Sequence, residues 1–148
     1  MRSLVKSPRV PQGYYFKVHM ECDCFVFGKS IEIELYHKNS RGGRYPIGSV
    51  TLQPCGKTAS GIQKWETHSG LSSLYWNKKL GVTMYVRAIK WCLDRGYNVQ
   101  SSISTSELAQ RVWNGKTIRK YVRIIKRKHT YEYGATYTWH AYPKQGTK

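Results

Sequence analysis

Along its first half the chain alternates apolar and polar positions with the two-residue period of half-buried strands. The segment "KSIEIELYHK" sets Ile31, Ile33 and Leu35 against Glu32 and Glu34. Before it, "YYFKVHMECDCFVFG" is a long extended candidate, and after it "YPIGSVTLQP" follows the turn-forming "NSRGGR". Together these predict a meander of antiparallel strands. A fourth candidate, "QKWETHSGLSSLYW", breaks its alternation at Gly70, where a bulge or a strand end is expected.

From Gly81 the period changes. Val82, Tyr85, Ile89, Cys92 and Leu93 recur at three- and four-residue spacing while Arg87, Lys90, Asp94 and Arg95 fall on other faces. This predicts an amphipathic helix with Gly96 as its C-cap. "YNVQSSI" then reads as a short strand, and "STSELAQRVWNGK" as a second helix. In that helix Ser104 and Glu107 have capping-box spacing, and Leu108, Ala109 and Val112 supply an apolar stripe. The last segment, "KYVRIIKRKHTYEYGATYTWHAY", predicts a hairpin turning near Tyr133 and Gly134. Four strands, a helix, a strand, a helix and two strands make an α+β (mixed α/β) domain on one twisted, mostly antiparallel sheet flanked by helices.

Composition narrows the setting. With 148 residues, 40% hydrophobic and 14% aromatic, the chain fits a single domain spanning 1–148, residues 1–12 reading as an N-terminal extension. No apolar run approaches the roughly 20 residues that span a bilayer. "MRSLVKSPRVPQGYY" has basic residues and two prolines where a signal peptide carries its apolar stretch, so a cytosolic protein without membrane partners is expected. Of Cys22, Cys24, Cys55 and Cys92, only the first two are close, with a one-residue gap, which favours buried reduced thiols over a metal site.

Charge changes the picture most. There are 25 Lys and Arg against 8 Asp and Glu, a formal net charge of +17. Residues 108–131 hold no acid, yet Lys116, Arg119, Lys120, Arg123, Lys126, Arg127 and Lys128 crowd one part of that stretch. The plain reading of such a run is a solvated face; the lack of compensating acids favours an anionic partner, whether nucleic acid, acidic protein or phosphorylated ligand. Tyr121, Tyr131, Tyr133, Tyr137, Trp139 and Tyr142 interleave with these cations, the pattern of a stacking-plus-phosphate surface, although Trp139 reads better as core.

A strand, a loop with a glycine, a helix of about four turns, another strand and a helix opened by a Ser-rich segment together resemble the core of the GNAT superfamily of acyl-CoA-dependent N-acyltransferases. "LGVTMYVRAIKWCLDRGYNVQSS" carries the glycine, helix and next strand in order. "SELAQRVWNGK" is similar to the family's Asn, two residues, Ala, three residues, Tyr pattern, with Ser106, Ala109 and Trp113 at those places. The supporting stretch covers roughly residues 62 to 115, and the arrangement most resembles small GNAT-like proteins encoded by bacteriophages.

The resemblance implies an acetyl-CoA site. Its pyrophosphate would lie on backbone N–H groups of the loop and helix start at Lys79, Leu80, Gly81, Val82 and Thr83, with Ser106 on the second helix. A backbone N–H between Leu71 and Leu74 would meet the thioester carbonyl. Glu66, the only carboxylate between Glu34 and Asp94, occupies the strand where the family sometimes carries its base, and His68 shares its face; the plain reading of Glu66 is an ion-pair partner. Three positions depart from the pattern: Trp76 replaces Arg or Gln, Lys79 the first glycine, and Trp113 the tyrosine that often serves as general acid. Two classes of function follow. One is transfer of an acetyl group to an amine of a protein or small molecule. The other is a GNAT-fold basic module without catalysis, acting on nucleic acid, a virion assembly or an acidic host protein.

Overall fold

The computed structural model describes residues 5–20, 29–38, 43, 45–71, 80–103 and 105–144. Within them, seven strands form one open sheet: β1 (Tyr14–Met20), β2 (Ile31–His37), β3 (Gly48–Lys57), β4 (Gln63–Leu71), β5 (Asn98–Ser101), β6 (Arg123–Tyr131) and β7 (Gly134–Tyr142). Helices α1 (Leu80–Leu93) and α2 (Glu107–Asn114) follow β4 and β5, and a 3-10 turn at Ile118–Lys120 leads into β6. The spatial order is β1-β2-β3-β4-β5-β7-β6. All neighbouring pairs are antiparallel except β4 and β5, which are parallel because α1 returns the chain to the starting end of the sheet.

The alternation in β2 decides the face. Ile31, Ile33 and Leu35 are buried, as are Val50 and Leu52 across from them on β3. In the same register Trp65 and Thr67 of β4 align with Val99 and Ser101 of β5, and Ala141 and Trp139 of β7 continue the row. α1 lies on this face against β2, β3 and β5, and α2 packs beside it and against β4. Sheet on one side and α2 on the other bury most of α1's circumference, including Leu80, Met84, Tyr85, Val86, Ala88, Ile89 and Cys92. Arg87 escapes by lying 5.0 Å over the ring of Phe16. Val5, ahead of β1, belongs to the same core.

On the opposite face no helix packs among the described residues. It carries Glu32, Glu34, Lys64, Glu66 and His68, and its carboxylates are partnered locally: His19 pairs with Glu34, whose Oε1 also accepts from the Tyr36 hydroxyl at 2.9 Å. No described helix is long and apolar enough to cross a membrane.

One local expectation is corrected, and another is met as a strand end rather than a bulge. The cap of α2 is Ser106: it is extended, with φ −68° and ψ 165°, and its Oγ accepts from Ala109 N–H at 3.2 Å. Glu107 therefore begins the helix and pairs with Arg111 at 2.8 Å instead of reaching back to Ser104, which lies outside the described residues. Gly70 stays in register opposite Ser49, and β4 ends one residue later; the irregularity of this ladder is at Pro54–Lys57, where proline has no N–H to donate. Residues 21–28 and 72–76 of the candidate strands, with Cys22 and Cys24, fall outside the described residues. Cys92 is a buried free thiol and Cys55 a half-buried one.

Candidate functional site

β4 and β5 stay paired from Lys64 and Asn98 to Thr67 and Ser101, then part. β5 ends there and the chain turns toward α2, while β4 continues to Leu71 held only by β3. The gap is a cleft of about 100 Å³ lined by Thr67, His68, Ser69, Tyr85, Ser102, Thr105, Ser106 and Ala109. Its described lining is rich in hydroxyl side chains and includes the capped start of α2 and His68 of β4, with no carboxylate among those residues.

Tyr85 is the residue that sequence reading placed in the apolar period of α1 and nowhere else. Its ring is buried edge-on to Trp113, with centroids 5.7 Å apart, and its hydroxyl reaches Ser69 Oγ at 2.5 Å. Burial pushes this phenol up to about 12, with the neighbouring Ser69 and Thr67 hydroxyls opposing, so it stays protonated through neutral pH. Trp113 fills the space behind it, and its indole Nε1 has no hydrogen-bond partner among the described residues. Thr67 Oγ1 is also buried without a partner of good geometry, beside the cleft.

His68 lines the cleft and Glu66 does not. The two are joined at 2.9 Å between His68 Nε2 and Glu66 Oε1, with side chains 40% and 25% exposed. Glu66 thus meets the cleft lining only through its contact with His68 Nε2, which leaves Nδ1 of the imidazole outside that contact.

The start of α1 is split between two tasks. Leu80 and Gly81 are buried, and a Cβ on Gly81 would meet Val112 Cγ2 at 3.3 Å and Leu108 Cδ1 at 3.4 Å. Gly81 therefore permits close approach of α1 to α2, and a cofactor role for it rests on its backbone N–H alone. Val82 and Thr83 line a cavity of about 220 Å³ with Pro8, Arg9, Pro11, Thr117 and Tyr121. No acid occupies the first turn of α1, and Arg9 adds a cation that sequence reading left unassigned. Leu74 and Lys79 lie outside the described residues.

The basic residues fall elsewhere. Lys116, Arg119 and Lys120 sit between α2 and β6, and Arg119 donates to the carbonyls of Asn114 at 3.1 Å and Gly115 at 2.8 Å, which fastens the end of α2. Arg123, Lys126, Arg127 and Lys128 are exposed on β6, two strands beyond β5.

No protein-family model and no curated protein sequence matches the chain. Solved structures do. A GNAT-family acetyltransferase from Streptococcus pneumoniae is 16% identical, over 75% of this chain and 65% of that one, with a TM-score of 0.50. A chain in the NatC complex bound to Gag peptide and CoA is 11% identical over 77% and 71%, with a TM-score of 0.56. Arabidopsis thaliana NAA60 in complex with acetyl-CoA is 11% identical over 75% and 74%, with a TM-score of 0.51. This chain thus spans 65% of the length of the Streptococcus protein. At these identities the likeness is one of architecture: seven strands, a single parallel pair and two helices on one face, the GNAT fold.

Proposed function

We propose that the chain binds acetyl-CoA across the β4–β5 cleft and the start of α1 and transfers its acetyl group to an amine. The observation that carries this reading is the parting of parallel β4 and β5 beyond Thr67 and Ser101, beside the capped start of α2. Two of the structural neighbours hold CoA or acetyl-CoA, which supports the same ligand here.

The residues fit such a ligand. A cleft of about 100 Å³ admits a thin polar arm and excludes a ring system, and the Thr67 and Ser69 hydroxyls beside Tyr85 offer polar atoms there. Phosphates would take the start of α1, where N–H groups, Arg9 and the absence of acid favour an anion. When bound, acetyl-CoA supplies an activated acetyl thioester. In this reading His68 takes a proton from the amine at Nδ1, with Glu66 holding the ring through its contact with Nε2. Tyr85 holds a proton at its phenolic oxygen beside Ser69 and takes the role for which Trp113 has no usable proton. The likeness to small bacteriophage proteins rests on the Trp113 segment.

A second reading, binding without transfer, draws on Trp113 in place of the family's tyrosine. Calorimetric titration and thiol release separate the two. Wild-type protein is expected to bind acetyl-CoA and to release thiol when an amine acceptor is present; binding with no thiol release for any amine supports the second reading. Val82→Glu introduces a carboxylate in the first turn of α1, where the helix dipole tolerates it, so the fold should hold while cofactor affinity falls at least about tenfold. No heat and no thermal shift with wild type at about 1 mM CoA removes the cofactor site.

A further inference from the structure

Among the described residues β6 is the outer strand of the sheet, and one row of its backbone groups has no neighbouring strand there. Its alternation puts Lys126 and Lys128 on the helix side, opposite Trp139 and Tyr137, and Arg123, Arg127 and His129 on the other side. Among the described residues none of these cations forms an ion pair, and after Glu107 the sequence holds one acid, Glu132 at the hairpin turn. Two of them lie on rings instead: Lys126 Nζ is 4.4 Å from the centre of Tyr137 and 5.2 Å from that of Trp139, and Arg123 is 4.9 Å over Tyr142, whose hydroxyl accepts from Arg127 at 3.4 Å. Tyr131 is 57% exposed, Tyr133 89% and Tyr137 38%. At the base of the strand Arg119, Arg123 and Lys144 edge a groove of about 280 Å³.

A bare strand edge invites another strand. A second copy of β6 would set Arg123, Lys126, Arg127 and Lys128 against like charges, which opposes self-pairing. An acidic polypeptide would neutralise the cations and leave the exposed rings of Tyr131 and Tyr133 without a use. We propose that the outer edge of β6, from the groove at Arg119 and Lys144 to the tip at Tyr133, binds single-stranded nucleic acid. Phosphates lie on Arg123, Lys126, Arg127 and Lys128, and bases stack on Tyr131 and Tyr133. A nine-residue strand spans about 30 Å, which suits a segment of several nucleotides. β7 and β5 separate this edge from the β4–β5 cleft, so the surface does not depend on acetyl-CoA.

The probe is a fluorescent oligothymidylate of about 20 nucleotides, titrated between about 50 and 300 mM salt, with log K expected to fall by about 0.7 per neutralised phosphate. Replacing Arg123, Lys126, Arg127 and Lys128 together by Gln should lower affinity at least about tenfold and the slope by about three, with circular dichroism and CoA binding retained. Tyr133→Ala removes a ring that no packing holds; it should weaken binding at least about fivefold and leave the slope unchanged. This second variant decides the matter where the quadruple variant fails to fold. Equal binding by wild type and both variants overturns the proposal. Tighter binding of a duplex of the same length overturns the choice of single strands, and competition by polyglutamate as strong as by oligonucleotide makes the partner an acidic protein.

Discussion

Tyr85 shows how a single side chain serves the core and the cleft at once. Its ring packs against Trp113 within the core, and only its hydroxyl emerges, onto Ser69. Removing that oxygen leaves the packing intact. Tyr85→Phe should therefore cost about 1 kcal/mol of stability, the net worth of one hydrogen bond. It should lower turnover by about a hundredfold or more while CoA affinity stays within about twofold. Glu66→Gln is its counterpart on the base side, because it retains a hydrogen-bond acceptor for His68 and removes the carboxylate charge beside it. Turnover should fall, with CoA affinity nearly unchanged. Single-turnover rates set beside calorimetric affinities check both; unaltered turnover in either variant removes that residue from the chemistry.

The pairing of α1 with α2 turns on Gly81. In Gly81→Ala the new methyl meets Leu108 Cδ1, the end of a flexible side chain, and Val112 Cγ2, which is stiff at χ1, so a shift of a few tenths of an ångström falls on Leu108 and on the spacing of the two helices. The gain from better helix propensity, up to about 1 kcal/mol, offsets that crowding, so the variant should unfold within about 1 kcal/mol of wild type. Gly81→Leu has no such room, and a loss of about 2–3 kcal/mol is expected from overpacking. Denaturant midpoints measure both; a large loss in the alanine variant would mean that α1 and α2 cannot shift at all. How legible these elements were follows from range. The period of β2 and of α1 is imposed by one buried face, so it is written locally, and the order of strands and helices could be read from it. Gly81 could be read only as a loop glycine, because Leu108 and Val112 are brought to it by tertiary packing. Likewise Thr67, Ser69, Tyr85 and Ser106 come together only through the parallel β4–β5 pair, and nothing in their spacing announces a shared cleft. In the Ser-rich segment before α2 several hydroxyls had the composition of a cap; backbone geometry selected Ser106.

At the scale of the whole molecule, charge and pH act together. The chain carries +17 with its 5 histidines neutral, so every histidine that gains a proton adds to an existing self-repulsion. His140 makes this steeper. It lies half-buried on β7, hydrogen-bonded at 2.9 Å to Thr138, whose hydroxyl also meets His129 at 2.7 Å. Burial first, then Arg127, His129 and Lys64, hold its imidazole down at about 4 against an ordinary 6.5. Between those values the unfolded chain binds a proton that the folded one refuses. The stabilising contribution is thus complete above about pH 6.5 and is lost as pH falls toward 4. Thermal unfolding from pH 7.5 to 4.5 should therefore show a falling Tm that His140→Gln makes shallower, since an amide has no proton to gain. Salt distinguishes the two causes. Raising ionic strength from about 50 to 500 mM should lift the acid end of the curve by screening the net charge, but a residual slope should persist, because desolvation of His140 is not screened. A curve that becomes flat in high salt would assign the whole effect to surface repulsion and leave His140 without a part in it.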